Sequence, residues 1–260
     1  FSMNNPVSRM ASSSDPPPFR LKSRINPSIP SRLSFSSGIS TDSIRSPSAS
    51  NHHQVMLATS LALFNEFGEP NVTTNHIADE AGISPGNLYY HFRSKDDIVL
   101  ELFKRFLGRF QPVIDIPEDV LLSADDLWFQ LHLGFEIKGE FRFLYRNLAD
   151  LTARIPDLDR AMRALLSRER LAVLNSLGGL QQAGLLDLSE VQKELLAQNL
   201  QLGLTYWIPF ADLKDSGSLE DGSAQIYAIA RVLMMVAPYL PSAERERLVE
   251  IAYRYLSRVV

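Results

Sequence analysis

Between Thr73 and Lys95 the chain carries side chains suited to touching a polyanion and reading what it displays. Asn87 has an amide that can bond bidentately to adenine, and Asn75 offers a second one nearby. Pro85 and Gly86 are small enough to allow close van der Waals approach, for example to a thymine methyl. Tyr89, Tyr90, His91 and Lys95 add hydroxyl, imidazole and ammonium donors that suit phosphate oxygens. Thr73 and Thr74 stand where a helix begins, so free amides and the positive end of its dipole favour an anion there. This is the chemistry of double-stranded DNA recognition.

Catalysis finds no comparable support. No nucleophile–base pair, phosphate-cradling glycine loop or metal-ligand cluster can be read, so neither enzyme activity nor a metal or cofactor is expected. Gly178-Gly179 falls inside a helical pattern and reads as a kink or close contact. His52, His53 and His76 have no ligand partner at helical spacing and read as incidental. The absence of cysteine excludes disulfides, thiolate sites and cysteine nucleophiles, and it is compatible with the cytoplasm, the expected location.

The elements that must position these groups follow from local rules. Leu57, Ala58, Leu61 and Phe64 form an amphipathic stripe that Gly68 ends. A second helix is expected over Thr74–Ala81, stopped by Gly82, whose freedom to adopt a left-handed backbone reverses the chain. Ser84-Pro85 reads as an N-cap followed by a first-turn proline, so a third helix starts there. Ser94 caps a fourth, and Asp97 completes a capping box. Ile77, Ala78, Ala81, Ile83, Leu88 and Phe92 supply the small apolar contacts that hold two short helices together. The product is a helix-turn-helix, whose second helix places its first residues in the major groove. Tyr89 has two roles open to it, core packing alone or packing together with a phosphate contact.

A net charge of −4 argues against a broad basic surface. Bulk charge says little when one small face does the binding, so the grip must depend on placed donors, with a shallow salt dependence.

At this point the residues carry a resemblance. From about Gln54 to Phe106 the chain resembles the N-terminal domain of tetracycline-repressor (TetR) family regulators. The shared pattern is Gly68, Thr73, Ile77-Ala78, Ala81-Gly82-Ile83-Ser84, Leu88-Tyr89, Phe92 and Lys95. Where some relatives carry a base-reading arginine, Asn75 stands here. The resemblance implies a homodimer on a pseudo-palindromic operator, usually repressing, with a small effector in the C-terminal domain that changes the spacing of the two DNA-reading heads.

The 260 residues divide by composition. Residues 1–50 form a Ser/Pro-rich tail with scattered arginines, expected to be disordered, for which a DNA-touching arm, a transit peptide and a functionless extension all stay open. Residues 51–110 form the DNA-binding domain, and 111–260 a helical effector-binding and dimerisation domain. After a linker from Pro112 to Asp119, helices are expected over Asp125–Lys138, Phe141–Thr152, Leu158–Ala183, Ser189–Ile208, Ser223–Val236 and Ala243–Val259. Strand alternation is absent, so the fold class is all-α. No apolar run is long enough for a bilayer, so no membrane partner is expected.

Two further expectations concern the C-terminal part. Trp128, Phe129, His132, Phe135, Tyr145, Asn147, Tyr206 and Phe210 combine apolar bulk with a few polar groups, and an apolar or amphipathic effector is expected among them. The segments Ser189–Ile208 and Ser223–Val236 are apolar nearly all round, which calls for burial on two faces, one of them against a second copy. The alternative from another class is a helical ligand-binding or interaction protein that no longer binds DNA.

Overall fold

A computed structural model describes residues 49–115 and 124–257. Expectations that fall on 1–48, on 116–123 and on 258–260 lie outside the described residues. The described residues belong to one compact unit, Pro47–Val260. Its helices are α1 (Ala49–Phe67), α2 (Thr74–Glu80), α3 (Pro85–His91), α4 (Lys95–Ile114), α5 (Ala124–Glu140) and α6 (Arg142–Arg146). They continue as α7 (Leu148–Arg154), α8 (Pro156–Gln182), α9 (Glu190–Lys214), α10 (Ser223–Val236) and α11 (Ser242–Leu256). Among the described residues there is no strand, and no helix is long and apolar enough to cross a membrane. The all-α class is as expected.

The first four helices obey the local signals closely. Thr73, Ser84 and Ser94 each accept a hydrogen bond from the backbone N–H three residues on, and Ser94 with Asp97 completes the capping box. Gly82 takes φ 66°, where a side chain would be strained, and lets Ile83 N–H donate to the Ala78 carbonyl. Ile77, Ala78 and Leu88 are fully buried and Phe92 nearly so, which joins α2 and α3 into one unit.

Helix α4 links this head to the rest of the molecule. Ile98, Leu102, Phe106, Phe110 and Ile114 repeat every fourth residue, with Val99 and Phe103 beside them, and all are buried. A 20-residue helix is about 30 Å long, so one rigid element carries the core from the head into the larger helical body.

Three expectations need correction. The linker does not begin at Pro112, because α4 runs on to Ile114 and contains that proline. So close to the helix end, few backbone bonds remain to be lost, and the buried Phe110 and Ile114 on either side hold the last turn. The segment Phe141–Thr152 is two short helices, α6 and α7, broken at Asn147. Finally, α9 does not stop at Ile208 but passes through Pro209 to Lys214. Buried Ile208 and Ala211 and the Arg146–Asp212 ion pair (2.9 Å) anchor the turn that the proline weakens.

Candidate nucleic-acid interface and effector cavity

The head presents the start of α3 to solvent. Pro85 and Gly86 form its exposed first turn, capped by the Ser84 hydroxyl oxygen, which accepts from Asn87 N–H at 3.2 Å. Asn87 is half-buried, and Asn75, one position into α2 beyond Thr74, is exposed. Tyr90 is 82% exposed on a helix whose inner face is fully buried. Nothing in packing explains a tyrosine held in water like this, and a partner surface would. His91 meets the Tyr90 ring edge-on at 5.1 Å.

Some of the expected donors also tie the head to itself. Thr73 caps α2 by accepting from His76 N–H at 3.1 Å, which leaves its own O–H free to donate. Thr74 and Tyr89 hydroxyls lie 2.9 Å apart and cross-link α2 to α3. Half the Tyr89 ring is exposed, so it packs and still faces solvent.

Lys95 is engaged within the head. Its ammonium donates to the carbonyls of Glu69 (2.9 Å) and Val72 (3.0 Å) and lies 3.0 Å from the Glu69 carboxylate. Three donors meet three acceptors, so in this conformation Lys95 clamps the turn before α2 and offers nothing to a phosphate. Two further residues lie beside the expected donors, His53, which the sequence reads as incidental, and Arg93. His53 of α1 stacks on Phe92 at 5.0 Å and lies 5.8 Å from His91, so it supports that imidazole. Arg93 is an exposed cation just past α3. Its position next to the expected donors was the available signal.

Head and body are riveted at two points. Asn65 of α1 donates to the Glu140 carbonyl (2.7 Å), while its side-chain oxygen accepts from Phe143 N–H (3.1 Å) and its own carbonyl accepts from Arg146 (3.2 Å). Buried Glu69 receives Arg154 from the end of α7 at 2.7 Å on the same oxygen that faces Lys95. Burial works against the Arg154 charge, but Glu69 outweighs it and holds the guanidinium above its ordinary pKa. No sequence pattern points to these contacts.

The body contains a partly open cavity between α4, α5, α8, α9 and α10. Val113, Leu131, Leu177, Leu200, Leu204 and Val232 give it a largely aliphatic wall to which Phe110 adds one ring, and Gln130, Lys138, Glu169 and Ser176 are its polar members. Lys138 and Glu169 form a buried ion pair. Lys138 also donates to the Leu204 carbonyl at 2.8 Å and sits over the rings of Phe110 and Tyr145, 5.2 and 5.1 Å from their centres.

None of the eight residues expected to line an effector site borders this cavity. Phe135 and Tyr145 are core residues, Phe135 edge-on to Trp207 and Tyr145 beneath Lys138. Trp128 stacks on His132, and Asn147 marks the α6–α7 break. Phe129, Tyr206 and Phe210 are turned outward, at 38%, 53% and 53% exposure. Helical spacing identifies an apolar residue without saying whether it faces core, cavity or solvent.

A further apolar surface lies on the outside of α9. Val191, Leu195, Leu202, Tyr206, Phe210 and Leu213 are exposed along it, with Met234 and Met235 exposed on neighbouring α10. Arg231 covers the Phe210 ring at 4.8 Å.

Comparison with known proteins gives a consistent picture. Residues 56–102 match the family model described as bacterial regulatory proteins, tetR family, and residues 105–248 match one described as bacterial transcriptional repressor. Among curated proteins, the HTH-type transcriptional repressor KstR2 of Mycobacterium tuberculosis is 41% identical over 105 residues, 39% of this chain and 52% of the relative. KstR2 of Mycolicibacterium smegmatis is 30% identical over 108 residues, 40% of this chain and 53% of the relative. The chain thus spans about half the length of the curated relatives it matches. Among solved structures, a TetR-family transcriptional regulator from Marinobacter aquaeolei VT8 superposes with a TM-score of 0.71 at 34% identity, over 78% of this chain and 98% of that one.

Proposed function

Since the chain belongs to the tetR family of bacterial regulatory proteins, we propose that it is a ligand-responsive, DNA-binding transcription repressor that works in the cytoplasm as a homodimer on a pseudo-palindromic operator. The exposed first turn of α3, backed by a fully buried inner face, is the observation that carries this reading. Pro85, Gly86, Asn87 and Asn75 face base edges, while Thr73, Thr74, Ser84, Tyr89, Tyr90 and His91 hold phosphates. Arg93 joins them, and Lys95 acts by fixing the turn before α2. A polar set of this kind supplies orientation and modest electrostatic attraction.

The division into a DNA-binding part, 51–110, and an effector and dimerisation part, 111–260, is functional. Helix α4 belongs to both, since it starts at the Lys95 clamp and ends in the cavity wall with Phe110, Val113 and Ile114. A small apolar or amphipathic molecule in that cavity displaces the end of α4, and the shift reaches the head through a rigid helix. The outward stripe on α9 and α10 forms the dimer contact, which gives the exposed Leu202, Tyr206 and Phe210 a place to be buried.

The test is a gel shift with the DNA flanking the protein's own gene. Wild type is expected to retard a fragment that Tyr90→Ala retards far more weakly, and light scattering at micromolar concentration is expected to give a dimer. A dimer that ignores every such fragment would favour a ligand-binding protein without DNA affinity, and a clean monomer would sink the operator model.

A further inference from the structure

The four polar residues that line the body cavity differ in how well they are satisfied. Gln130 donates to the Val113 carbonyl at 3.3 Å, and its amide oxygen lies 3.2 Å from the Ser176 hydroxyl. Ser176 also reaches the Ala172 carbonyl at 2.9 Å. Lys138 has Glu169 and the Leu204 carbonyl as acceptors. Glu169 is different. It is 3% exposed, one carboxylate oxygen takes Lys138, and the other is buried with no hydrogen-bond partner.

A buried carboxylate oxygen without a donor is costly, because it has given up water and received nothing in return. It is an acceptor only, so what completes it must be a donor. The charge of the group is already balanced by Lys138. A cationic ligand would therefore add an uncompensated positive charge to an aliphatic cavity, whereas a neutral hydroxyl would complete the lone pair and leave the balance intact.

We propose that the molecule bound between α5 and α8 is an apolar compound bearing a neutral hydroxyl, which donates to the unpartnered oxygen of Glu169. This inference rests on the reading of the cavity as the effector site, and it adds the chemistry by which that site selects. Glu169 is the specificity-determining residue, and Lys138 holds its charge and orientation.

Isomeric probes of equal size test it with the full-length protein. By calorimetry, 1-octanol is expected to bind at least about tenfold more tightly than heptyl methyl ether, which can accept but not donate. Octylamine is expected to bind more weakly than octanol. In the paired variant Lys138→Met with Glu169→Leu, which replaces the ion pair by apolar groups of similar volume, octanol and the ether are expected to bind alike. Equal binding of alcohol and ether to the wild type overturns the proposal while leaving the cavity as an effector site. Tighter binding of octylamine overturns the neutral-donor assignment. If none of the probes binds, the cavity reading fails and this inference fails with it. The wild-type comparison of alcohol with ether decides the matter even if the paired variant does not fold.

Discussion

The head and the body each bury a glutamate, and the two are treated differently. Glu69, in the short turn Glu69–Asn71 before α2, faces two cations, Lys95 from the start of α4 and Arg154 from the end of α7. Glu169, in the cavity wall, faces one cation and keeps an oxygen without a partner. A carboxylate with two cations from distant helices fixes geometry, and it stands where the helix-turn-helix head meets the body. A carboxylate left half-satisfied in an aliphatic cavity is poised to gain from a ligand. The first position suits something that must stay rigid, and the second suits something that must respond.

Variants of these groups can break or sharpen that contrast. The largest effect is expected at the cavity. Lys138→Met strands the Glu169 charge in the core and should lower unfolding stability by about 3–5 kcal/mol, whereas Lys138→Met with Glu169→Leu should recover most of the loss. Chemical denaturation measures both, and equal losses would mean that the pair is not electrostatically coupled.

A smaller loss is expected at the junction. Glu69→Gln leaves Lys95 its two carbonyls and leaves Arg154 partly in water with Asp96 at 3.3 Å, so about 2 kcal/mol is expected. Operator affinity should fall with it, because the clamp on the turn before α2 loosens. Full operator affinity in Glu69→Gln would show that the rivet does not position the head.

Tyr145 should show an effect of opposite sign. Its hydroxyl is buried without a partner, so Tyr145→Phe should stabilise the protein by about 1 kcal/mol. Burial pushes the phenol well above its ordinary pKa, and the charge of Glu169 adds to the shift. The unfolded chain ionises near pH 10 while the folded one does not, so this contribution is whole below about pH 10 and declines as pH rises toward the folded pKa. Denaturation curves at alkaline pH should therefore fall less steeply for Tyr145→Phe than for wild type.

The smallest effect on stability should come from the most exposed group. Tyr90→Ala ought to change unfolding free energy by no more than about 0.5 kcal/mol while weakening operator binding about tenfold. A large loss of stability would show that Tyr90 belongs to the packing of the head.

The sequence alone determined the architecture of the head, because its signals are local. A serine or threonine three residues from the amide it caps, a proline after a cap and a glycine at a reversal act within one or two helical turns. Thr73, Ser84, Ser94 and Gly82 accordingly do what their spacing implies. The all-α class was legible for the same reason, since helical periodicity belongs to the chain, whereas the outward face of α9 was not, because Tyr206 and Phe210 read equally well as lining of a ligand site.

Tertiary structure alone decided the partners of the charged groups and the walls of the cavity. Lys95 turns inward to a residue 26 positions away, Lys138 meets Glu169 at a distance of 31, and Arg154 meets Glu69 at 85. Trp128 and Phe135 are as apolar as the residues around the cavity, yet side chains from five helices, these two not among them, enclose the space. Periodicity tells which residues avoid water. Which of them close on one another, and which leave a gap, depends on how the helices cross.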